Sequence, residues 1–336
     1  KANTQLLAPH IPRIARLDLV GPEVLGRNRH PIRDVPEWLT DSLRNDIVPK
    51  LSDMTIHPYI LDDLSSDIPC HQLKVLEIVD IIDTRPLGPV LQLCTNLHSL
   101  TLHLLHDEDS EAFDANTLIE FPSLRQLKIT VNLPVGLSLL LPHLLLPSLS
   151  SFRISSHHEA AFLAPVTDLV RRSGCHLEEF AMEIRYGRYN VTNTDLGNFL
   201  TSCPELSHFE VNVAHPFRRD MLPGVSVCQL LDVLPPVSSR QAPIPSPKLS
   251  YVIASERWSN LSADTIDVLL GMLEARIGAL EDYRSRVPVP RWKWDLRFGA
   301  LPECAPEVLE VFESRIEKLA KSGLKWTALP FTNESE

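Results

Sequence analysis

Phe121-Pro-Ser-Leu-Arg-Gln-Leu-Lys-Ile-Thr-Val131 reads as a turn that enters a short strand. Leu124, Leu127 and Ile129 fall on one side, and Gln126, Lys128 and Thr130 on the other. That period-two alternation is the mark of a half-buried strand. The phrase returns at Cys203-Pro-Glu-Leu-Ser-His-Phe-Glu-Val-Asn-Val213. Aligning each copy on its first buried strand residue gives anchors at Ile14, Leu51, Leu73, Leu97, Leu124, Leu149, Leu177, Leu206 and Leu249. Their separations are 37, 22, 24, 27, 25, 28, 29 and 43 residues.

Most of these intervals lie in or near the roughly 20–29 residues of a leucine-rich repeat, whose strand reads Leu-x-x-Leu-x-Leu. The residues three and five beyond every anchor are apolar, as the repeat strand requires. An independent position is the residue two before each anchor. It is Pro at 12, 49, 122, 147, 204 and 247, where 28 Pro in 336 residues predict fewer than one. Proline fixes its own φ and offers no ladder donor, so it suits the entry to a strand, where it also stops a preceding helix.

Segments 38–47, 88–94, 111–120, 161–172, 194–200 and 226–234 read as short one-sided helices between the strands. Residues 20–35 and 235–247, rich in Pro, read as inserted loops. Beyond residue 257 the character changes. Ser262 opens a helix with an apolar stripe through Leu270 and Leu273, and Trp292 to Phe298 alternate as a strand with Lys293, Asp295 and Arg297 on the solvated side. Pro306 starts a second helix that Gly323 ends, and 324–331 supply a last strand. The fold class expected is α/β: a leucine-rich-repeat solenoid, a curved horseshoe with parallel strands on its concave face and helices on its convex face. Residues 1–257 form about nine irregular repeats, and 258–336 form helix-strand capping units continuous with them.

Composition excludes several roles. A net charge of −11 argues against a nucleic-acid partner, because phosphate binding draws on clustered Lys and Arg. The longest apolar run, 133–149, is broken by Pro134, Pro142, His143 and Pro147, so no membrane span is expected and the run reads as repeat core. The chain opens at Lys1 without an initiator Met or a leader, and three Asn-x-Ser/Thr sequons are expected to go unused. The expected location is intracellular, cytoplasmic or nuclear.

No metal or cofactor is expected. Cys70, Cys94 and Cys203 each stand three residues before an anchor and Cys175 two before, in a slot elsewhere filled by Ile11, Val48, Phe121 and Leu146. These thiols therefore read as reduced core residues, and no Cys-x-x-Cys pair exists. His157-His158-Glu159 is the densest group, but adjacent His side chains diverge where a helical zinc site wants them four apart. Gly-x-Ser-x-Gly, dinucleotide and Walker patterns are absent. An enzyme with dispersed carboxylates or a His site is the weakest alternative.

What remains is the ladder of outward strand residues. The candidate partner-binding residues on the concave face are Gln126, Lys128, Arg153, Glu179, Glu183, His208, Glu210 and Tyr251. Lys128 and Arg153 are expected to make a basic step beside Glu179, Glu183 and Glu210. The competing reading is a solvated sheet with cross-strand charge pairing.

Together with Leu169-Val-Arg-Arg-Ser-Gly-Cys-His-Leu-Glu-Glu-Phe180, Leu270-Gly-Met-Leu-Glu-Ala-Arg276 and Ser322-Gly-Leu-Lys325, the two phrases resemble the repeat region of the F-box/leucine-rich-repeat family of mushroom-forming fungi. The likeness covers most of residues 45–330. It implies a non-catalytic protein-binding scaffold that recognises the target of a cullin ubiquitin ligase, and a monomer outside that complex. A Skp1-like adaptor is implied only with an F-box upstream of Lys1, since Gly21-Pro-Glu-Val-Leu25 is followed by Gly26 and a basic loop instead of the family's apolar helix. A free-standing interaction protein is the alternative. The Asn expected after the repeat strand survives only at Asn132, so no regular asparagine ladder is expected.

Overall fold

A computed structural model describes residues 14–19, 48–56, 68–81, 87–105, 118–132, 135–156, 162–184, 191–213, 248–249, 251–256, 293–298 and 306–328, with 267, 270, 271, 273–275 and 278. The chain is mixed α/β, built on a large open sheet whose recorded strand pairs are all parallel. It divides into two compact units, Lys1–Ser151 with Arg171–Cys175, and Phe152–Val170 with His176–Glu336.

In the first unit the strands are β1 (Arg16–Leu19), β2 (Asp53–Ile56), β3 (Val75–Ile81), β4 (Ser99–Leu104), β5 (Ile119–Glu120), β6 (Gln126–Val131) and β7 (Leu144–Leu145). Its main sheet runs β1-β2-β3-β4-β6, and β5 pairs with β7 separately. In the second unit β8 (Ser151–Ser156), β9 (Glu179–Ile184), β10 (His208–Val213), β11 (Tyr251–Glu256), β12 (Lys293–Phe298) and β13 (Leu324–Ala328) lie side by side in chain order. The helices are α1 (Leu87–Leu93), α2 (Val135–Leu140), α3 (Leu163–Ser173), α4 (Asn193–Ser202) and α5 (Pro306–Lys321).

From β1 to β11, every main-sheet strand begins two residues beyond its anchor. The register follows the same phase. Asp53 pairs with Val75, Val75 with Ser99 and Ser99 with Gln126, while His208 pairs with both Glu179 and Tyr251. Leu51, Leu73, Leu97, Leu124, Leu149, Leu177, Leu206 and Leu249 are all buried. So are the residues three and five beyond the anchors from Met54 and Ile56 to Phe209 and Val211. Each fully buried aliphatic side chain contributes about 2 kcal/mol relative to exposure.

The recurrent Pro has a specific place. The anchor N–H donates to the carbonyl three residues earlier at Leu51 (3.1 Å), Leu73 (3.2 Å), Leu97 (3.3 Å), Leu124 (3.4 Å), Leu149 (3.2 Å) and Leu206 (3.1 Å). Pro49, Pro122, Pro147 and Pro204 therefore occupy the second position of a four-residue turn, which their fixed φ favours. Immediately afterwards two successive N–H groups of one repeat converge on one carbonyl of the repeat before. His98 and Ser99 donate to the Lys74 carbonyl, Arg125 and Gln126 to His98, and Ser207 and His208 to Glu178. Turn and fork together hand each strand to its neighbour in fixed register.

The helices start and stop for local reasons. Thr192 caps α4, accepting from the Asp195 N–H at 3.1 Å while its hydroxyl donates to the Asp195 carboxylate at 2.7 Å. Pro306 opens α5, where its missing N–H costs nothing. Gly174 and Gly323, at φ 59° and 100°, follow α3 and α5 and take the left-handed conformation that closes a helix. In the second unit the core is aromatic: Phe180 lies 6.0 Å from Phe152, 4.6 Å from Phe199 and 5.9 Å from Phe209, centroid to centroid.

Three expectations are corrected. Ile119–Glu120, read as the end of a helix, form β5, because their backbone pairs with Leu144–Leu145. Asp295 is buried instead of solvated, with Lys325 Nζ 3.6 Å from its carboxylate. Leu17 and Leu19, at the β1 edge, are only half-buried. The segments expected as helices at 38–47 and 226–234, and the two inserted loops, lie outside the described residues, and the change of character expected after residue 257 falls within the second unit.

Candidate functional site

Between the buried positions, residues two, four and six beyond each anchor project from the opposite side of the sheet. In the first unit this polar face carries Asp53 and Thr55 on β2, Glu77 on β3, Thr101 and His103 on β4, and Gln126, Lys128 and Thr130 on β6. Gln126 and Lys128 are exposed, the latter in register with Thr101. His103 Nε2 lies 3.5 Å from Glu77 Oε1, and the Thr55 hydroxyl donates to the same carboxylate at 3.5 Å.

In the second unit the face carries Arg153 and Ser155 on β8, Glu179, Ala181 and Glu183 on β9, and His208, Glu210 and Asn212 on β10. Arg153 and Glu179 are exposed, whereas Glu183, His208 and Glu210 are half-buried. Arg153 Nη2 comes within 3.5 Å of Glu210 Oε2, and the Ser155 hydroxyl donates to Glu183 at 3.4 Å. Five of the expected face residues, Arg153, Glu179, Glu183, His208 and Glu210, thus stand together on one unit. Lys128 and Gln126 belong to the other. Tyr251 is in register with His208, and its side chain lies outside the described residues.

This surface can read charge and hydrogen-bonding pattern. Its rows follow the parallel register, so neighbouring side chains recur at the strand spacing of about 4.8 Å. Among the described residues, no group of three His, Cys, Asp or Glu side chains is placed to hold a metal ion. The His157-His158 pair lies outside them. Cys70, Cys94, Cys175 and Cys203 are buried and form no disulfide. Burial pushes the Cys175 thiol up to about 11, which keeps it protonated and unreactive at neutral pH.

Two sets of side chains escaped the sequence reading. The residue before the anchor ties one turn to the previous one: Gln72 donates to the Val48 carbonyl at 2.8 Å, Asn96 to His71 at 2.6 Å and Ser148 to Pro122 at 2.5 Å. The residue after the anchor is Ser at 52, 150 and 207, and its hydroxyl joins the backbone fork on Ala15, Arg125 and Glu178. That recurring Ser was a visible signal. The mixed Gln, Asn and Ser of the first set was not, because no single residue type repeats.

Among the described residues, no helix is long and apolar enough to cross a membrane. The chain matches no known protein-family description and no curated protein.

Proposed function

We propose that this protein is a non-catalytic scaffold of the leucine-rich-repeat kind, which recognises a target protein through the polar face of its sheet. In that role it is a substrate receptor of the F-box type in a cullin ubiquitin ligase. The observation that carries the scaffold reading is the recurrence of one strand phase from β1 to β11, with the same anchor turn at Leu51, Leu73, Leu97, Leu124, Leu149 and Leu206. Such a frame holds a grid of polar side chains rigidly without requiring any of them for the fold, which is what a surface adapted to one partner needs. The acidic character of Glu179, Glu183 and Glu210 favours a partner with complementary charge. The ligase role rests on the family resemblance of the repeat phrases.

The test is capture of the full-length gene product by purified Skp1-like adaptor. Stoichiometric binding, with ubiquitin transferred to a co-purifying protein, is the expected result. An intact, folded full-length protein that ignores the adaptor would remove the ligase role and leave a free-standing interaction protein.

A further inference from the structure

We propose that Cys70 and Cys94 are a redox pair, joined into a disulfide by a small peroxide so that the turn of one repeat is stapled to the turn of the next. Both stand three residues before an anchor, and both carbonyls accept from that anchor's N–H, Leu73 to Cys70 at 3.2 Å and Leu97 to Cys94 at 3.3 Å. They are therefore equivalent positions of consecutive turns. The strands that follow are in register, Val75 opposite Ser99, and Asn96 of the second turn donates to the His71 carbonyl of the first at 2.6 Å. Backbones held side by side at strand spacing, about 4.8 Å, fall inside the Cα separation of about 4.4–6.8 Å that a disulfide spans.

The two thiols are near enough to influence one another. The Cys94 S–H donates to the Cys70 sulfur, and this hydrogen bond lowers the Cys70 pKa while holding the Cys94 proton, which burial holds further. Cys70 is thus the nucleophile. Its thiolate attacks one peroxide oxygen, the O–O bond breaks, and the leaving hydroxide takes a proton to become water. The Cys94 sulfur then attacks the Cys70 sulfenic acid, its own proton leaving with the departing hydroxyl as a second water. Two thiols are oxidised by two electrons and one peroxide is reduced to two waters. A peroxide suits a site where the residues are only 2% and 0% exposed, since a bulkier disulfide reagent has no access. Cys175 and Cys203 supply an internal contrast: Cys175 is two residues before its anchor and Cys203 three, one position out of phase.

The experiment treats the whole chain with hydrogen peroxide and maps its peptides without reduction. A Cys70–Cys94 cross-link, reversed by dithiothreitol, is the expected product, with Cys175 and Cys203 left as thiols. Cys94→Ser should abolish the link and Cys175→Ser should not. The wild-type map alone decides the matter where a variant fails to fold. Cys70 and Cys94 remaining free while other cysteines oxidise, or pairing with other cysteines, would overturn the proposal.

Discussion

Arg153 reaches across a whole strand to Glu210. The two stand on β8 and β10 with β9 between them, and their charged atoms approach to 3.5 Å. The β9 residue in register with Glu210 is Ala181, whose small side chain leaves the path open. Cross-strand pairing is therefore present on this face, as the competing reading of the sequence required, but it is long and open to water on the Arg153 side. Such a pair is readily exchanged for contacts with a partner.

Its contribution to stability should accordingly be small. A double-mutant cycle with Arg153→Ala and Glu210→Ala, read by urea denaturation, should give a coupling energy below about 1 kcal/mol. A coupling of several kcal/mol would make the pair a structural element and weaken its candidacy as a recognition site.

Phe180 should behave in the opposite way. It is fully buried and meets Phe152, Phe199 and Phe209, so Phe180→Ala removes the centre of the aromatic core. The expected loss is about 3–5 kcal/mol, measured as a fall in the denaturation midpoint. Phe180→Leu should recover a large part of it.

Gly174 isolates a backbone effect. A Cβ there meets nothing within 4 Å, but φ is +59°. Gly174→Ala should cost about 1 kcal/mol through the left-handed conformation alone. Gly174→Asn should cost less, because Asn tolerates that region. Equal melting temperatures for all three chains would contradict this account.

Glu274 and Arg315 give a pH-dependent contribution. The Arg315 guanidinium donates to both carboxylate oxygens at 2.8 Å and holds Glu274 below its ordinary value of 4.5. A carboxylate depressed in the folded state stabilises fully above its unfolded pKa, and the gain disappears as pH falls through the folded value. The side chain of Glu274 is 40% exposed, so the gain is screened to below about 1 kcal/mol. Glu274→Gln should lower the melting temperature by about 2 °C at pH 7, with the difference closing as pH falls below the ordinary value of 4.5 and through the lowered folded-state value. A constant difference down to pH 2 would assign it to packing instead of charge.

The strands were legible because one short phrase fixes three things at once: a Pro at the turn, a Leu anchor and an alternating strand. Tertiary pairing preserved that local reading from β2 to β10. Ile119–Glu120 were misread because the apolar spacing of so short a segment suits helix and strand alike, and only the distant Leu144–Leu145 decides between them. Asp295 was misread for a related reason. Alternation assigns a charged residue to solvent, and nothing local announces that the neighbouring strand places Lys325 close to it. On the candidate face, Arg153, Glu179, Glu183, His208 and Glu210 share one strand phase and lie on β8, β9 and β10 of the second unit. The Arg153–Glu210 reach was not visible, since it depends on the smallness of Ala181 between them.

The most direct test of the polar face as the recognition surface is charge reversal at Lys128 and Arg153, scored by binding of a purified target first identified on the full-length protein. Lys128→Glu with Arg153→Glu should abolish binding while the circular dichroism spectrum and melting temperature stay unchanged. Gln92→Lys and Asp168→Lys, at exposed positions of α1 and α3, should leave binding intact. Normal binding by the double variant, together with loss of binding in the two helix variants, would contradict the assignment.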